Sequence, residues 1–372
     1  MKILFACNSL ISGGAERLLS QLVPKIKNAG NDCRLLLLSS KDSRYLDAFR
    51  ANEIEVTVVP DSCKTHFAKM NYVKKYIKNG NFDVIHANLF PMFYYLAFLK
   101  KSFRKSTVLT LTEHSTSNKR RKHFVFRLIE RFVYSKYDAK ICISKATEEN
   151  LIKWLAVDAT DDSFVVIENG IDFSIINKTP PVERNAIFSN ASSEDCFLAM
   201  VGSFTSDKNH SFILDVLSCL PSRFKLLLLG EGKLKNEIES KVHVLNLDNR
   251  VAFGGFVSNP YSFIKACDIV IIPSKREGFG LIAVEAMACG KPIVCSNVDG
   301  LRSVVNDAGI KCNLIVEEFA SAIKTIEKNA SVYIERGQAM VANYDIKLTA
   351  ERYLSLFEYL VLKKGKNDEK RK

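Results

Sequence analysis

The sequence lacks the features that mark a disulfide-stapled, secreted or membrane-spanning chain. Its ten cysteines are scattered, and no two have the two-residue spacer of a zinc knuckle or redox motif. The longest purely apolar stretch, residues 89–99, has 11 residues and contains Pro91, whereas about 20 are needed to span a bilayer. The apolar run at residues 1–7 is too short for a signal peptide. We therefore expect a cytoplasmic protein with free thiols, at most peripheral on the inner face of the plasma membrane.

Acidic residues are scarce in the first half of the chain. The 372 residues include 53 Lys and Arg and 41 Asp and Glu, a net charge of +12. Residues 1–180 hold 28 basic and 18 acidic side chains, whereas residues 181–372 hold 25 and 23. A positive field on one half favours an anionic partner, which could be a membrane surface, a phosphorylated ligand or nucleic acid.

The excess is densest in residues 64–145, which hold 18 Lys and Arg, counting Lys64 and Lys145 at the ends, against four acids. Aromatic residues lie beside these cations at residues 90–95, 100–105 and 119–124. Such a mixture suits an anionic membrane surface. The alternative is a solvated helix face whose aromatic side chains belong to the core. No nucleic-acid-binding motif accompanies the charge, so nucleic acid is not expected as a partner.

Short β-rich runs alternate with amphipathic segments in two series, separated by a break at residues 178–181 that contains two prolines. Buried strands separated by helices predict parallel sheets covered on both faces. We predict two Rossmann-like, doubly wound α/β domains, residues 1–180 and 181–360, facing a central cleft, and a polar tail, residues 361–372. The predicted strands are residues 2–7, 33–39, 56–59, 84–87, 107–112, 140–143, 164–167, 197–202, 225–230, 251–253, 268–273 and 292–296.

The most specific stretch runs through residues 273–292. A buried strand ends near residue 273, and Gly278 and Gly280 leave a turn without side chains just before a helix. Bare backbone N–H groups at a helix start suit a phosphate or a sugar hydroxyl. Glu277 lies in the turn and Glu285, eight residues later, lies about one turn into the helix, so both carboxylates can accept hydrogen bonds from sugar hydroxyls. An isolated Glu is more often a solvated surface residue. Two glutamates together with two glycines at this spacing instead favour a binding site.

These motifs resemble those of the retaining glycosyltransferases of family 4, which have the GT-B fold. That family's signature is a Glu, seven residues and a second Glu late in the second domain, which Glu277 and Glu285 match. The resemblance extends over most of the chain through further short motifs. They are residues 13–16 (GGAE), 113–114 (EH), 169–172 (NGID), 201–202 (VG), 208–209 (KN) and 230–232 (GEG).

The resemblance implies a retaining, metal-independent enzyme that moves a hexose from a nucleotide-diphospho-sugar, most simply a UDP-sugar, to a hydroxyl of a glycan or lipid-linked acceptor. O-antigen, capsule or exopolysaccharide synthesis would use such a step. The implied catalytic residues are Glu277, His114 and Lys208. The implied donor-binding residues are Gly13, Gly14, Gly202, Ser203, Lys208, Gly230, Gly278, Phe279, Gly280, Leu281 and Glu285. The acceptor is implied to bind the first domain, and no cofactor is implied.

The sequence departs from the family's pattern at one residue, and it lacks the metal-binding motif of a different glycosyltransferase fold. Many relatives carry Arg where this chain has Ser203, so Lys208 is left with more of the diphosphate charge. No two aspartates are separated by one residue, so the Asp-x-Asp metal clamp of the other large glycosyltransferase fold is missing and no metal is expected. Two alternatives stay open from the sequence. They are a nucleotide-sugar epimerase or phosphorylase of the same fold, and a non-catalytic membrane- or sugar-binding protein.

Overall fold

The computed structural model describes residues 1–11, 13–116 and 118–369. Contacts divide the chain into two compact units. The first unit comprises Met1–Gly170 together with Ile346–Lys372, and the second comprises Ile171–Asp345. Each unit holds one wholly parallel sheet surrounded by helices, as the alternating sequence pattern predicts.

Within the described residues the first sheet has seven strands and the second has six. The first unit contains β1 (Lys2–Cys7), β2 (Asp32–Leu37), β3 (Glu55–Val58), β4 (Val84–Asn88), β5 (Val108–Glu113), β6 (Ala139–Cys142) and β7 (Phe164–Val166). The second contains β8 (Cys196–Val201), β9 (Phe224–Leu229), β10 (Val251–Gly255), β11 (Ile269–Ile272), β12 (Ile293–Ser296) and β13 (Gly309–Cys312). The strand orders are β3-β2-β1-β4-β5-β6-β7 and β10-β9-β8-β11-β12-β13.

The helices cover both sheets. They are α1 (Gly14–Asn28), α2 (Leu46–Ala51), α3 (His66–Gly80), α4 (Met92–Leu99), α5 (Phe124–Tyr134), α6 (Lys145–Leu155), α7 (Phe173–Lys178), α8 (Arg184–Ile187), α9 (His210–Ser218), α10 (Lys235–Val244), α11 (Tyr261–Ala266), α12 (Leu281–Ala288), α13 (Asp299–Val305), α14 (Val316–Lys328), α15 (Ala330–Val341) and α16 (Ile346–Glu369). No helix in the part of the chain described here is long and apolar enough to cross a membrane.

Each sheet reverses its winding direction once. In the first sheet the reversal lies between β1 and β4, whose register pairs Ile3 with Val84. In the second it lies between β8 and β11, where Leu198 pairs with Ile269. Ligands of open α/β sheets bind outside the carboxyl ends of the strands at such a reversal. The loops that follow β1, β4, β8 and β11 are therefore where a site is expected.

The sequence predicted twelve of the thirteen strands in the described residues and missed β13. This strand reads Gly-Ile-Lys-Cys, lies at the edge of the second sheet and pairs only with β12. Because an edge strand is covered on fewer sides, it does not need the continuous apolar run by which buried parallel strands are recognised.

The structure moves the predicted domain boundary from Pro180 to Gly170. Residues 171–182 pack on the second unit instead of linking the two. Lys265 donates to the carbonyl oxygen of Thr179 at 2.7 Å, and the amide of Val182 donates to Ser262 at 3.1 Å. The proline-rich turn is thus a surface loop held by α11.

The chain also returns to the first unit, which the sequence did not indicate. The hydroxyls of Tyr353 on α16 and Thr112 on β5 lie 2.8 Å apart. The pair Asn169-Gly170 predicts left-handed backbone geometry, but neither residue has a positive φ. Gly170 is needed because an added Cβ would lie 2.8 Å from the backbone of Ile346, where the returning chain passes.

The predicted polar tail of residues 361–372 is helical as far as Glu369, and residues 370–372 lie outside the described residues. Lys364 explains why the helix continues, since its ammonium group donates to the carbonyl of Thr107 at 2.6 Å and to Asp138 at 2.7 Å. This lysine anchors the last turns of α16 to the first unit.

A buried histidine makes the stability of the first unit depend on pH. The ring nitrogens of His86 lie 2.8 Å from the hydroxyl of Thr110 and 3.0 Å from that of Thr112. Burial, and secondarily the neighbouring His114, lowers the pKa of His86 from 6.5 to about 3. Between these values the unfolded chain binds a proton that the folded chain does not. The stabilisation is therefore complete above pH 6.5 and is lost as pH falls toward 3.

We expect His86→Gln to flatten this dependence by about 1.4 kcal/mol per pH unit between pH 6 and 4. Urea unfolding followed by the fluorescence of Trp154 measures it in the first unit, because Trp154 is the only tryptophan in the sequence. Equal slopes for the variant and the wild type would contradict the assignment.

Candidate active site

The loops after β8 and β11 lie at the reversal of the second sheet. Lys208 follows β8 and Glu277 follows β11, and the ammonium group donates to the two carboxylate oxygens at 2.7 and 3.1 Å. Their side chains are only 23% and 14% exposed. The structure thus brings together two of the residues that the sequence singled out. A half-buried cation beside a carboxylate can bind an anion while the carboxylate accepts from hydroxyl groups.

A second ion pair lies next to the first and was missed in the sequence. Arg276 donates to Asp207 at 2.7 and 3.1 Å, and the amide of Lys275 donates to the carbonyl of Asp207 at 2.7 Å. The two loops are therefore joined by adjacent pairs of opposite polarity, Asp207 with Arg276 and Lys208 with Glu277. Only knowledge of which loops are neighbours could have revealed this from the sequence.

Glycine lets the loops approach closely at three points. Gly230 has φ +143°, and a Cβ there would lie 2.0 Å from the carbonyl oxygen of Gly202. Gly280 has φ +90° at the start of α12. A Cβ on Gly300 of α13, which the sequence analysis did not single out, would lie 2.3 Å from the carbonyl oxygen of Glu277. The side chain of Lys208 itself lies across Gly202, where an added Cβ would approach its Cδ to 3.3 Å. Half-buried Ser203 follows in the same loop.

The turn before α12 presents its backbone. Phe279 is buried with its ring edge-on to Tyr344 at 5.7 Å between centroids, so its side chain belongs to the core. Gly278 has no side chain, and Leu281 is half-buried. Glu285, on α12, is only 2% exposed, and the hydroxyl of Tyr261 lies 3.4 Å from its carboxylate. A buried carboxylate of this kind is specific for the few hydroxyl groups that reach it.

His210 begins α9, two residues after Lys208. Its ring stacks on Phe204 with centroids 4.1 Å apart, and it is 2% exposed. Burial, with a smaller effect from the charge of Lys208, lowers the pKa of His210 to about 4. The imidazole is therefore neutral at pH 7, and Lys208 supplies the positive charge at this loop.

In the first unit, Gly13 caps α1 and Gly14 is its first residue, after β1. A Cβ on Gly13 would lie 2.2 Å from the carboxylate of Glu16. Burial raises the pKa of Glu16, while hydrogen bonds from the backbone of Glu16 and Gly13 oppose that rise. The carboxylate of Glu16 thus accepts hydrogen bonds from backbone amide groups at the start of α1. Donor binding by Gly13 and Gly14 remains a prediction.

His114 follows β5 in the same unit. Its Nε2 lies 2.9 Å from the Oδ1 of Asn88, which is the last residue of β4. Burial lowers the pKa of His114 to about 4, so the ring is neutral at pH 7. With Nε2 donating to Asn88, Nδ1 carries the lone pair and can accept from a hydroxyl. Asn88 thus sets the tautomer, a partner that the sequence analysis did not identify.

The predicted site residues therefore fall into two groups. Gly202, Ser203, Lys208, Gly230 and the residues from Glu277 to Glu285 lie in the second unit, whereas Gly13, Gly14 and His114 lie in the first. In the part of the chain that the structure describes, no three His, Cys, Asp or Glu side chains are placed to hold a metal ion. Metal independence remains a prediction.

Family models match both halves of the chain. Residues 12–174 match the model for Glycosyltransferase Family 4, and residues 182–343 match that for Glycosyl transferases group 1. Together the two models cover most of the sequence, in the order that the family-4 resemblance requires.

Two known enzymes illustrate the relationship. The chain is 28% identical over 309 residues to the N-acetylgalactosamine-N,N'-diacetylbacillosaminyl-diphospho-undecaprenol 4-alpha-N-acetylgalactosaminyltransferase of Campylobacter jejuni, covering 80% of this chain and 82% of that one. It is 24% identical over 365 residues to the phosphatidyl-myo-inositol mannosyltransferase of Mycolicibacterium smegmatis, covering 94% and 90%.

The fold is shared with solved structures. HepE of Anabaena, crystallised with UDP and glucose, superposes with a TM-score of 0.84 at 20% identity, covering 96% of this chain and 100% of that one. The two parallel sheets, the loops at their reversals and the family matches in both halves all support the same assignment. The chain belongs to the family 4 glycosyltransferases, enzymes of the GT-B fold.

Proposed function

We propose that the protein is a retaining, metal-independent glycosyltransferase that moves a hexose from a UDP-sugar to a hydroxyl of a lipid-linked glycan during cell-surface polysaccharide assembly. The observation that carries the proposal is the pair of Lys208 and Glu277 at the reversal of the second sheet, 2.7 Å apart. This pair offers a cation for a diphosphate beside an acceptor for sugar hydroxyls.

The donor is assigned to the second unit. Lys208 binds the diphosphate, and its charge is worth most as the leaving group becomes more negative in the transition state. Glu277 and the backbone N–H groups of residues 278–280 hold the hexose, and Glu285 holds the ribose. The buried position of Glu285 supports a sugar contact, because a carboxylate with so little access to water gains most from fully bonded hydroxyls.

The proposed step conserves the anomeric configuration. The acceptor hydroxyl oxygen bonds to the anomeric carbon on the face from which the diphosphate leaves. The bond from that carbon to the diphosphate oxygen breaks, and the hydroxyl proton passes to the departing diphosphate. His114 of the first unit, whose ring is neutral, can accept a hydrogen bond from a substrate hydroxyl at Nδ1. The products are the glycosylated acceptor and UDP.

The relatives support a lipid-linked acceptor. The Campylobacter jejuni enzyme is named for a diphospho-undecaprenol substrate and the Mycolicibacterium smegmatis enzyme for phosphatidyl-myo-inositol. The excess of basic residues in residues 64–145 of the first unit is compatible with an acceptor whose phosphates lie at a membrane.

A thermal-shift screen against UDP-, GDP- and ADP-sugars tests the donor assignment. A ligand at one hundred times its Kd stabilises the folded state by about 2.7 kcal/mol, so the UDP-sugar should raise Tm by several degrees. Lys208→Ala should abolish the rise. Lys275→Ala, which removes an exposed cation from the neighbouring loop, should retain it. A UDP-sugar shift that survives in Lys208→Ala would exclude this diphosphate site.

A further inference from the structure

Helix α5 exposes an apolar surface that the reaction does not use. Five of its eleven residues are large apolar side chains open to solvent, namely Phe124, Val125, Leu128, Ile129 and Phe132, with exposures of 67, 67, 58, 36 and 48%. Their spacing, i, i+1, i+4, i+5 and i+8, places them on one side of the helix. We call this surface the α5 ridge.

The opposite side of α5 is fixed in the first unit. Glu130, Val133 and Tyr134 are buried there. The ridge is therefore the outward face of a well-packed helix. Phe98 at the end of α4, itself 51% exposed, extends it, since its ring lies 6.0 Å from that of Phe132. Contiguous exposed apolar side chains of this kind mark an interaction surface.

The surroundings of the ridge are cationic. Lys122 precedes it and Arg131 lies on the same helix, both exposed, and Lys101 is exposed just beyond Phe98. The ammonium group of Lys136 lies 4.2 Å above the ring of Phe132. The one acid of α5, Glu130, is fully buried. The ridge thus combines apolar side chains with basic neighbours and has no exposed acid of its own.

The structure also separates these cations from others in the same stretch of sequence. Arg120 donates to Glu130 at 2.9 Å and Arg121 donates to Glu113 at 3.2 Å, so both arginines point into the unit. Three of the four aromatic residues of α4 are buried as well, namely Phe93, Tyr94 and Tyr95. The basic, aromatic sequence therefore serves two purposes, and only part of it faces outward.

We propose that the α5 ridge and its basic border dock the protein on an anionic lipid bilayer. The apolar side chains enter the boundary between headgroups and acyl chains, and the lysines and arginine meet the anionic headgroups. Charge complementarity selects this occupant over a second copy of the chain, because two ridges placed face to face would bring their like-charged borders together. The docking deepens the lipid-linked acceptor proposed above by bringing the enzyme to the surface where that acceptor resides.

Co-sedimentation with vesicles tests the proposal on the full chain. We expect the wild type to pellet with vesicles of phosphatidylcholine and phosphatidylglycerol in a 3:1 ratio, and at least tenfold less with phosphatidylcholine alone. Leu128→Gln combined with Phe132→Gln should lower binding to the anionic vesicles at least tenfold. Phe67→Gln combined with Val244→Gln, which alters side chains that are 76% and 78% exposed elsewhere, should bind like the wild type.

Charge reversal provides a second arm that does not alter the apolar side chains. Lys101→Glu with Arg131→Glu should lower binding to anionic vesicles at least tenfold, and added salt should reproduce the loss. Wild-type binding by the ridge variant, or no vesicle binding by the wild type, would overturn the proposal. A concentration-dependent dimer that the ridge variant abolishes, without vesicle binding, would assign the ridge to a second copy instead.

The outcome is independent of the donor site. Vesicle binding needs neither donor nor acceptor, and the thermal shift with a UDP-sugar needs no membrane. Failure of one measurement with success of the other therefore shows which assignment is wrong. Circular dichroism of each variant confirms that the fold is retained, which is expected because every substituted side chain is exposed.

Discussion

Replacing Lys208 with alanine is expected to lower the rate of sugar transfer about 10²–10³-fold, the usual cost of removing one group that stabilises developing negative charge. The ammonium group is held at 2.7 Å from Glu277 and is only partly exposed, so it is already positioned before the donor binds. The neutral imidazole of His210, two residues later, cannot replace the charge. The measurement is kcat/KM for the donor at a saturating concentration of acceptor.

The matched control is Lys275→Ala, which removes an exposed cation from the loop that carries Glu277 and should change kcat/KM less than threefold. Glu277→Gln keeps the shape of the side chain and leaves Lys208 unpaired. It should impair transfer while retaining nucleotide binding. Activity within a factor of three of the wild type in Lys208→Ala would remove this lysine from the mechanism.

Replacing Glu130 with alanine is expected to destabilise the first unit by about 3–5 kcal/mol, the cost of breaking a buried ion pair by removing one partner. The carboxylate is fully buried and accepts from Arg120 at 2.9 Å, from Tyr94 at 3.1 Å and from the indole of Trp154 at 2.6 Å. All three donors lose their acceptor at once. Urea unfolding followed by Trp154 fluorescence should show a lower midpoint.

Arg131→Ala serves as the control for this measurement, because Arg131 is the exposed neighbour on the same helix. Arg131→Ala should change the free energy of unfolding by no more than about 0.5 kcal/mol. If Glu130→Ala were equally mild, the network around this carboxylate would contribute little, and the anchoring of α5 would rest on its apolar contacts alone.

The layered architecture could be predicted from the sequence because strands buried in a parallel sheet have nearly continuous apolar runs. β9, which reads Phe-Lys-Leu-Leu-Leu-Leu, and β11, which reads Ile-Val-Ile-Ile, have few alternatives to a sheet covered on both faces. The pattern could not specify on which unit a helix packs. An amphipathic helix such as α16 shows which face is apolar but not which of two units that face will cover, so its return to the first unit could only be seen in three dimensions.

The sequence likewise predicted some residues of the candidate site but not the residues that surround them. Short motifs placed Lys208 and Glu277 at strand ends, and the reversal of the second sheet brings them together. The neighbouring residues were missed. Asp207 and Arg276 belong to no recognised motif, and Gly300 lies on α13, whereas the motif with Glu277 leads into α12. The α5 ridge was missed for another reason. Its apolar residues resemble those of a core helix, and exposure cannot be read from composition.

The two crossings between the units have a consequence for synthesis. Helix α16, residues 346–369, completes the first unit. During synthesis, residues 171–345 can therefore fold before the first unit has received this last helix. Gly170 and Ile346 are adjacent in space, so the second unit has the topology of an inserted domain. A chain in which residue 170 is joined directly to residue 346 should therefore yield the first unit as an independently folding protein.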